Sequence, residues 1–259
     1  MPTITYHFFD SGFFIPVYSL LLILTAVAGN LLAKREKKIF GGVRGYNADA
    51  LLISFVVLLS LLYSFTFSHV AFHYREAKLF VSKESDMGAG LFRWSNHFKY
   101  DEKRKFQLML TEYFEIRADM EKSIDSVLIN KSHNDMWNFL MEKEKLEVNN
   151  AVTLKMLNQL ENEIQIYWNQ YYGEKDRLPM PVIMLIFTAS ILITFFVGYS
   201  NLNTTSHFTI NLFIFVSLNM IIMFTIRELD LLHKGLIEIN RDNIVELAKA
   251  MRSMYETGK

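Results

Sequence analysis

Two histidines four residues apart, His69 and His73, precede Glu76 by seven and three positions and share one face of any helix that contains them. Two imidazoles and a carboxylate form a ligand set that zinc accepts. His-x-x-x-His is also a common spacing, and such residues near a membrane boundary serve equally as interfacial or inter-helix polar groups, so no metal is assigned. The chain has no Gly-x-Gly-x-x-Gly, phosphate-binding loop, His-Glu-x-x-His, Gly-x-Ser-x-Gly or Glu-x-x-His. An enzyme would have to be assembled from scattered residues; no catalytic residue and no cofactor is assigned, and a non-enzyme is expected. The absence of cysteine removes disulfides, thiolate metal sites and a cysteine nucleophile together.

Hydroxyls carry a stronger pattern. Ser60, Ser64 and Ser68 recur every four residues among Tyr63, Phe65 and Phe67, which makes a narrow polar stripe beside bulky apolar side chains. In a membrane helix small hydroxyl residues let neighbouring helices approach and hydrogen-bond across the interface. They can equally line a pore, where hydroxyls partly replace an ion's water and a ring of Phe65 or Phe67 narrows the path. Both readings stand at this point. Further on, Arg227-Glu228-Leu229-Asp230 closes the last apolar stretch. Its charges are either solvated anchors or, through Glu228 or Asp230, partners for Arg75, at a junction between membrane and polar regions that also includes Lys78.

These residues need membrane helices to hold them. Half of the 259 residues are hydrophobic and the formal net charge is zero, so no strongly charged partner, nucleic acid included, is implied. Nearly all the charge, however, sits between Arg75 and Arg177 and after Arg227. The chain is therefore expected to be all-α and integral to a lipid bilayer. Spans are expected at about 13–33, 50–72, 180–199 and 208–226, each close to the roughly 20 residues that cross a bilayer core. The first differs from a cleaved signal peptide, since Asp10 precedes it and Lys34, Arg35, Lys37 and Lys38 follow it. Gly41, Gly42, Gly45 and Asn47 suit a short turn between spans one and two, and the polar run 201–207 another between three and four. Pro179 and Pro181 fit a first helical turn, and Trp168, Tyr171 and Tyr172 resemble an interfacial aromatic belt.

The domain expectation is a membrane hairpin at 1–72, a helical bundle at 73–179 continuing the second span, a second hairpin at 180–226, and a helical tail at 227–259. No proline or glycine falls between Ala50 and Met87, so the second span is expected to run as one helix beyond Lys83. In the bundle, Asp101 is placed as a cap before a stripe at Phe106, Met109, Tyr113, Ile116, Met120, Ile124 and Val127. Ser132 with Asp135 reads as a capping box, and a further stripe follows at Val152, Met156, Leu160, Ile164, Trp168 and Tyr171. The tail repeats the pattern at Leu236, Ile239, Ile244, Leu247 and Met251. Nine Lys and Arg residues flank the spans on the bundle side (Arg75, Lys78, Lys83, Arg93, Lys175, Arg177, Arg227, Lys234, Arg241), against Lys34, Arg35, Lys37, Lys38 and Arg44 opposite. The count points to a cytoplasmic bundle, while the basic flank of the first span points the other way.

Three stretches carry a family resemblance: Tyr74-Arg75-Glu76-Ala77 through Glu84-Ser85-Asp86-Met87-Gly88-Ala89, then Leu110-Thr111-Glu112-Tyr113-Phe114-Glu115-Ile116-Arg117, and Glu228-Leu229-Asp230 with Gly235-Leu236-Ile237-Glu238-Ile239. With Arg177-Leu178-Pro179 they resemble a bestrophin-like family of mostly bacterial four-span membrane proteins, distantly similar to the bestrophin anion channels. The resemblance implies a homo-oligomer, five copies by analogy, with the second span lining a path for small inorganic anions and the bundle on the cytoplasmic side of a bacterial inner membrane. The alternative is a non-conducting scaffold that recruits a protein partner through its bundle. The calcium clasp of the animal proteins finds no matching acidic cluster.

Overall fold

From Ala48 to Trp94 the residues are good helix formers, apolar and then mixed with charge, and they form one unbroken helix of 47 residues. A computed structural model describes residues 9–40, 48–119, 125–146, 150–173, 177–200, 208–231, 237 and 239–257, and all regular structure among them is helical. The order is α1 (Phe14–Phe40), α2 (Ala48–Trp94), a 3-10 turn (Ser95–His97), α3 (Tyr100–Ala118), α4 (Ser126–Leu146), α5 (Ala151–Gly173), α6 (Met180–Ser200), α7 (Phe208–Asp230) and α8 (Asp242–Thr257). Four of these, α1, α2, α6 and α7, are long and apolar enough to cross a membrane. The protein is an all-α, four-span integral membrane protein. The turns expected at 41–47 and 201–207, with Met120, Ile124 and Leu236, lie outside the described residues.

The chain divides into two units, Met1–Tyr74 with Arg177–Glu238 and Arg75–Asp176 with Ile239–Lys259. In the first, α1 buries Phe14, Tyr18, Leu22, Ala26 and Ala33, a single face at helical spacing, and α2 buries Leu59, Tyr63, Thr66 and Val70. They pack with Ile183, Ile186 and Ile193 of α6 and with Val216, Met223 and Ile226 of α7. Two glycines set the α1–α6 distance: a Cβ on Gly29 would lie 2.2 Å from the Phe195 carbonyl oxygen, and one on Gly198 2.0 Å from that of Ala26. The two backbones touch there, the close approach that small residues allow in membrane packing. At the centre of this core Tyr18, Tyr63, Ser190 and Asn219 pair their polar atoms, whereas Asn30 Oδ1 of α1 is buried without a hydrogen bond among the described residues. The Tyr63 hydroxyl is 2.9 Å from Ser190 Oγ and 3.3 Å from the Tyr18 hydroxyl, and lies 2.8 Å from Asn219 Oδ1.

The second unit joins the later part of α2 to α3, α4, α5 and α8. Gly88 and Gly90 do not end α2; they make room for neighbours, since a Cβ on Gly88 would meet the Phe114 ring at 2.1 Å and one on Gly90 the Gln159 amide at 2.0 Å. Several local expectations are corrected here. The long stripe from Phe106 to Val127 is two helices, α3 ending at Ala118 and α4 starting at Ser126 with Val127 exposed. Asp101 sits inside the first turn of α3, where its charge favours the helix dipole, and the cap position is Lys99. Ser132 and Asp135 lie in the interior of α4; the side chain that caps it is Asp125, whose Oδ1 accepts from the amides of Val127 and Leu128 at 3.0 and 3.2 Å. Asn150 caps α5 in the same way, through Val152 N at 3.0 Å.

Candidate functional site: the exposed face of α2 and two buried charge clusters

At about 100° per residue, the core-facing positions of α2 (Leu59, Tyr63, Thr66 and Val70) sit more than 90° around the helix from the line through Ser60, Ser64 and Ser68. All three serines are exposed on the chain. Ser60 Oγ donates to its own helix, to the Val56 carbonyl at 2.8 Å. Among the described residues the three serines are not part of the packed core. On the same wheel Phe67 lies about 60° from Ser64 and Phe65 about 100° from it on the other side, so the two rings do not share a direction. Both are exposed, Phe65 at 67% and Phe67 at 44%. Arg75 and Lys78 are exposed further along α2.

His69 and His73 stack with ring centroids 6.5 Å apart, and no group of three or more His, Asp or Glu suited to a metal occurs among the described residues.

Glu228 and Asp230 are not solvated anchors: both are buried, Glu228 with Arg227 and Asp230 with Arg177. The Arg177 guanidinium grips Asp10 with two nitrogens at 2.8 and 2.9 Å and reaches Asp230 Oδ2 at 2.7 Å, while the amide of Leu178 donates to Asp230 Oδ1 at 2.8 Å. Arg227 donates to the carbonyls of Phe9 and Asp10 at 2.8 and 2.5 Å and to Glu228 at 2.6 Å. Two arginines thus tie the residues before α1 to the start of α6 and the end of α7. Burial disfavours the Arg177 charge, but its hydrogen bonds to Asp10 and the charge of Asp230 more than offset this and raise its pKa. Asp10, Arg177 and Arg227 act here as partners that the sequence does not reveal, because the pairs span 53 to 218 positions.

The second cluster lies in the other unit, and motif analysis misses it entirely. Glu84 of α2 is fully buried and pairs with Arg117 of α3, Nε to Oε1 at 2.5 Å and Nη2 to Oε2 at 2.9 Å, a bidentate ion pair. Gln170 Nε2 of α5 adds a third donor to Glu84 at 2.9 Å, and its Oε1 accepts from Arg117 at 2.6 Å. Burial works against ionisation of Glu84, yet the Arg117 charge and hydrogen bonds hold its carboxyl below the ordinary value. The Tyr113 hydroxyl lies between Glu84 Oε1, at 3.1 Å, and the Glu163 carboxylate of α5. His133 of α4 completes the group, its Nε2 3.1 Å from Glu163 Oε2 but without the alignment of a hydrogen bond.

Fold and sites together define a four-span membrane protein with an inserted helical bundle. No family model and no curated protein matches the sequence. Solved structures do. The crystal structure of a bacterial bestrophin homologue from Klebsiella pneumoniae superposes with a TM-score of 0.73 at 11% identity, covering 93% of this chain and 98% of that one. Two single-substitution variants of that homologue give TM-scores of 0.74 and 0.75 at 11% and 12% identity, covering 93% and 95% of this chain and 99% of each of theirs. The chain has the fold of bacterial bestrophin homologues, to which it is distantly similar.

Proposed function

We propose that this chain is one subunit of a bestrophin-like ion channel in which several copies, five by analogy, surround an axis lined by α2. The observation that carries the reading is the exposed line of Ser60, Ser64 and Ser68, which turns away from the chain's own core and lies outside the packed cluster formed among the described residues. Four spans enclose no pore by themselves, so a conducting path requires more copies. Along that line there is no carboxylate to draw cations, and exposed Arg75 and Lys78 would concentrate anions at its end; small inorganic anions are the inferred cargo. Of the two rings, Phe67 is nearer in angle to the serines and is the better constriction. The bundle is assigned to the cytoplasmic side, and the bacterial inner membrane is the inferred location. The domain boundaries proposed above, near 72, 179 and 226, divide these roles.

A second reading has its own observation. An open groove of about 440 Å³ between α3 and α8, lined by Glu115, Lys249, Arg252 and Glu256 among others, is the kind of surface a non-conducting scaffold would use to recruit a partner.

Size in detergent and flux in liposomes separate the two. Purified protein should be oligomeric and pass chloride, and Phe67→Ala should raise the flux more than Phe65→Ala. A confirmed oligomer that passes no ion with either substitution, under varied voltage, pH and calcium, removes the channel and leaves the scaffold.

A further inference from the structure

Helix α1 changes its chemistry along one face. Its buried side is set by Leu22, Ala26 and Ala33, while the opposite side exposes Leu20, Leu24, Val27 and Leu31 at 42–61%. At about 100° per residue these four fall in a band about 60° wide. They cover about 17 Å of the helix axis, against about 15 Å for half of a bilayer core. Beyond Leu31 the same band becomes cationic. Lys38 falls in its middle and Lys34 and Arg35 within about 20° of its edges, and all three are exposed.

The direction of this face is fixed by packing on the other side of the helix. A Cβ on Gly29 would lie 2.2 Å from the Phe195 carbonyl oxygen and 3.0 Å from the Tyr199 amide nitrogen, so the backbones of α1 and α6 are in contact there. Two turns further on, Glu36 lies within about 20° of Gly29 around the axis and accepts from the Tyr199 hydroxyl at 2.5 Å. The carboxylate of the basic run is thereby drawn towards α6, at least about 100° around the helix from Lys34, Arg35 and Lys38. What remains on the outward face is apolar surface over the depth of one leaflet, followed by three cations.

We propose that this face of α1 binds an anionic glycerophospholipid, with its acyl chains against Leu20, Leu24, Val27 and Leu31 and its phosphate held by Lys34, Arg35 and Lys38. The assignment rests on matching both halves of the ligand in the order in which a lipid presents them. The planar Arg35 guanidinium can offer two parallel donors to phosphate oxygens, and the two lysines add point charges. A zwitterionic lipid has the same tails and phosphate but brings its own cation, which the three basic residues repel. The site therefore selects by net headgroup charge, through repulsion of the wrong lipid as well as attraction of the right one. It stands whether or not the chain conducts ions, and on whichever side of the membrane the bundle lies.

Full-length protein in neutral detergent, titrated with phosphatidylglycerol or phosphatidylcholine and read by native mass spectrometry, tests this. Phosphatidylglycerol should bind about tenfold more tightly or better. Each cation removed should weaken it about fivefold, so Lys34→Gln, Arg35→Gln and Lys38→Gln together should cost about a hundredfold and leave phosphatidylcholine unchanged. Lys99→Gln, Lys131→Gln and Lys155→Gln together remove the same charge from exposed positions of the helical unit and should alter neither affinity. Equal affinity for the two lipids, wild-type binding by the α1 variant, or an equal loss in the control variant overturns the proposal. So does glycerol phosphate, a headgroup without tails, if it binds as tightly as the lipid. A changed oligomer size in the α1 variant would mark the face as a contact between copies and overturns the proposal as well. Should the triple variant fail to fold, Lys38→Gln alone should show the fivefold loss, and wild-type affinity in that variant overturns it.

Discussion

At the scale of single residues, the side chains with the greatest consequence are charged groups placed where lone charges are costly. Arg117 illustrates this: it is 3% exposed and serves Glu84, Gln170 and, through its guanidinium 5.1 Å over the ring, Tyr167. Glu84 and Arg117 both occur in the stretches that carry the family resemblance. Their pairing was still illegible, because 33 positions separate them and a lone charge on a helix reads as a solvated face. The apolar stripe of α3 was legible only in part for the same reason: the buried face includes Gln107, Thr111 and Arg117, so Met109 and Ile116 are displaced to its edge. Replacing Arg117 by Leu leaves Glu84 without its charge partner, and the expected loss of stability is about 3–5 kcal/mol. Adding Glu84→Gln to that variant should recover part of the loss, a coupling that denaturant unfolding of the four members of the cycle measures directly.

At the scale of elements, membrane helices were the most readable part of the chain because their signal is composition over some 20 residues rather than any particular contact. All four fall where charge is excluded, and three run on into charged sequence: α1 through Lys34 to Lys38, α2 through Arg75 to Trp94 and α7 through Arg227 to Asp230. Helix ends in the bundle were less readable, since a cap is a geometric relation between one side chain and an amide two or three residues on. Ser132 and Asp135 have the right spacing in the wrong place, inside a helix that Asp125 already starts. The consequence is measurable. Asp125→Ala and Asn150→Ala should each lower bundle stability by about 1 kcal/mol, whereas Ser132→Ala, whose hydroxyl only returns to the Leu128 carbonyl at 3.3 Å, should change it by less than about 0.5 kcal/mol. Equal effects at all three positions would contradict the cap assignment.

At the scale of the whole molecule, the fold class was legible and the assembled sites were not. Charge segregation shows which segments meet lipid, but the ties of Arg177 to Asp10 and of Arg227 to Phe9 exist only once α1, α6 and α7 are folded together. Orientation in the bilayer depends on neither: it depends on which flanks hold lysine and arginine. Nine such residues on the bundle side against five opposite favour a cytoplasmic bundle. The opposing indication is the basic run after Ala33; Glu36 lies within it and accepts from the Tyr199 hydroxyl at 2.5 Å, but acidic residues count little in this rule and the four cations stand. The native chain lacks cysteine, so single cysteines report cleanly on sidedness. On intact cells an impermeant thiol reagent should label Asn203→Cys, between the last two spans, and spare Asn130→Cys in α4 until the membrane is opened. Labelling of Asn130→Cys alone would place the bundle outside, and with it Arg75 and Lys78, so that any anion concentrated by those residues would enter the path from the opposite face.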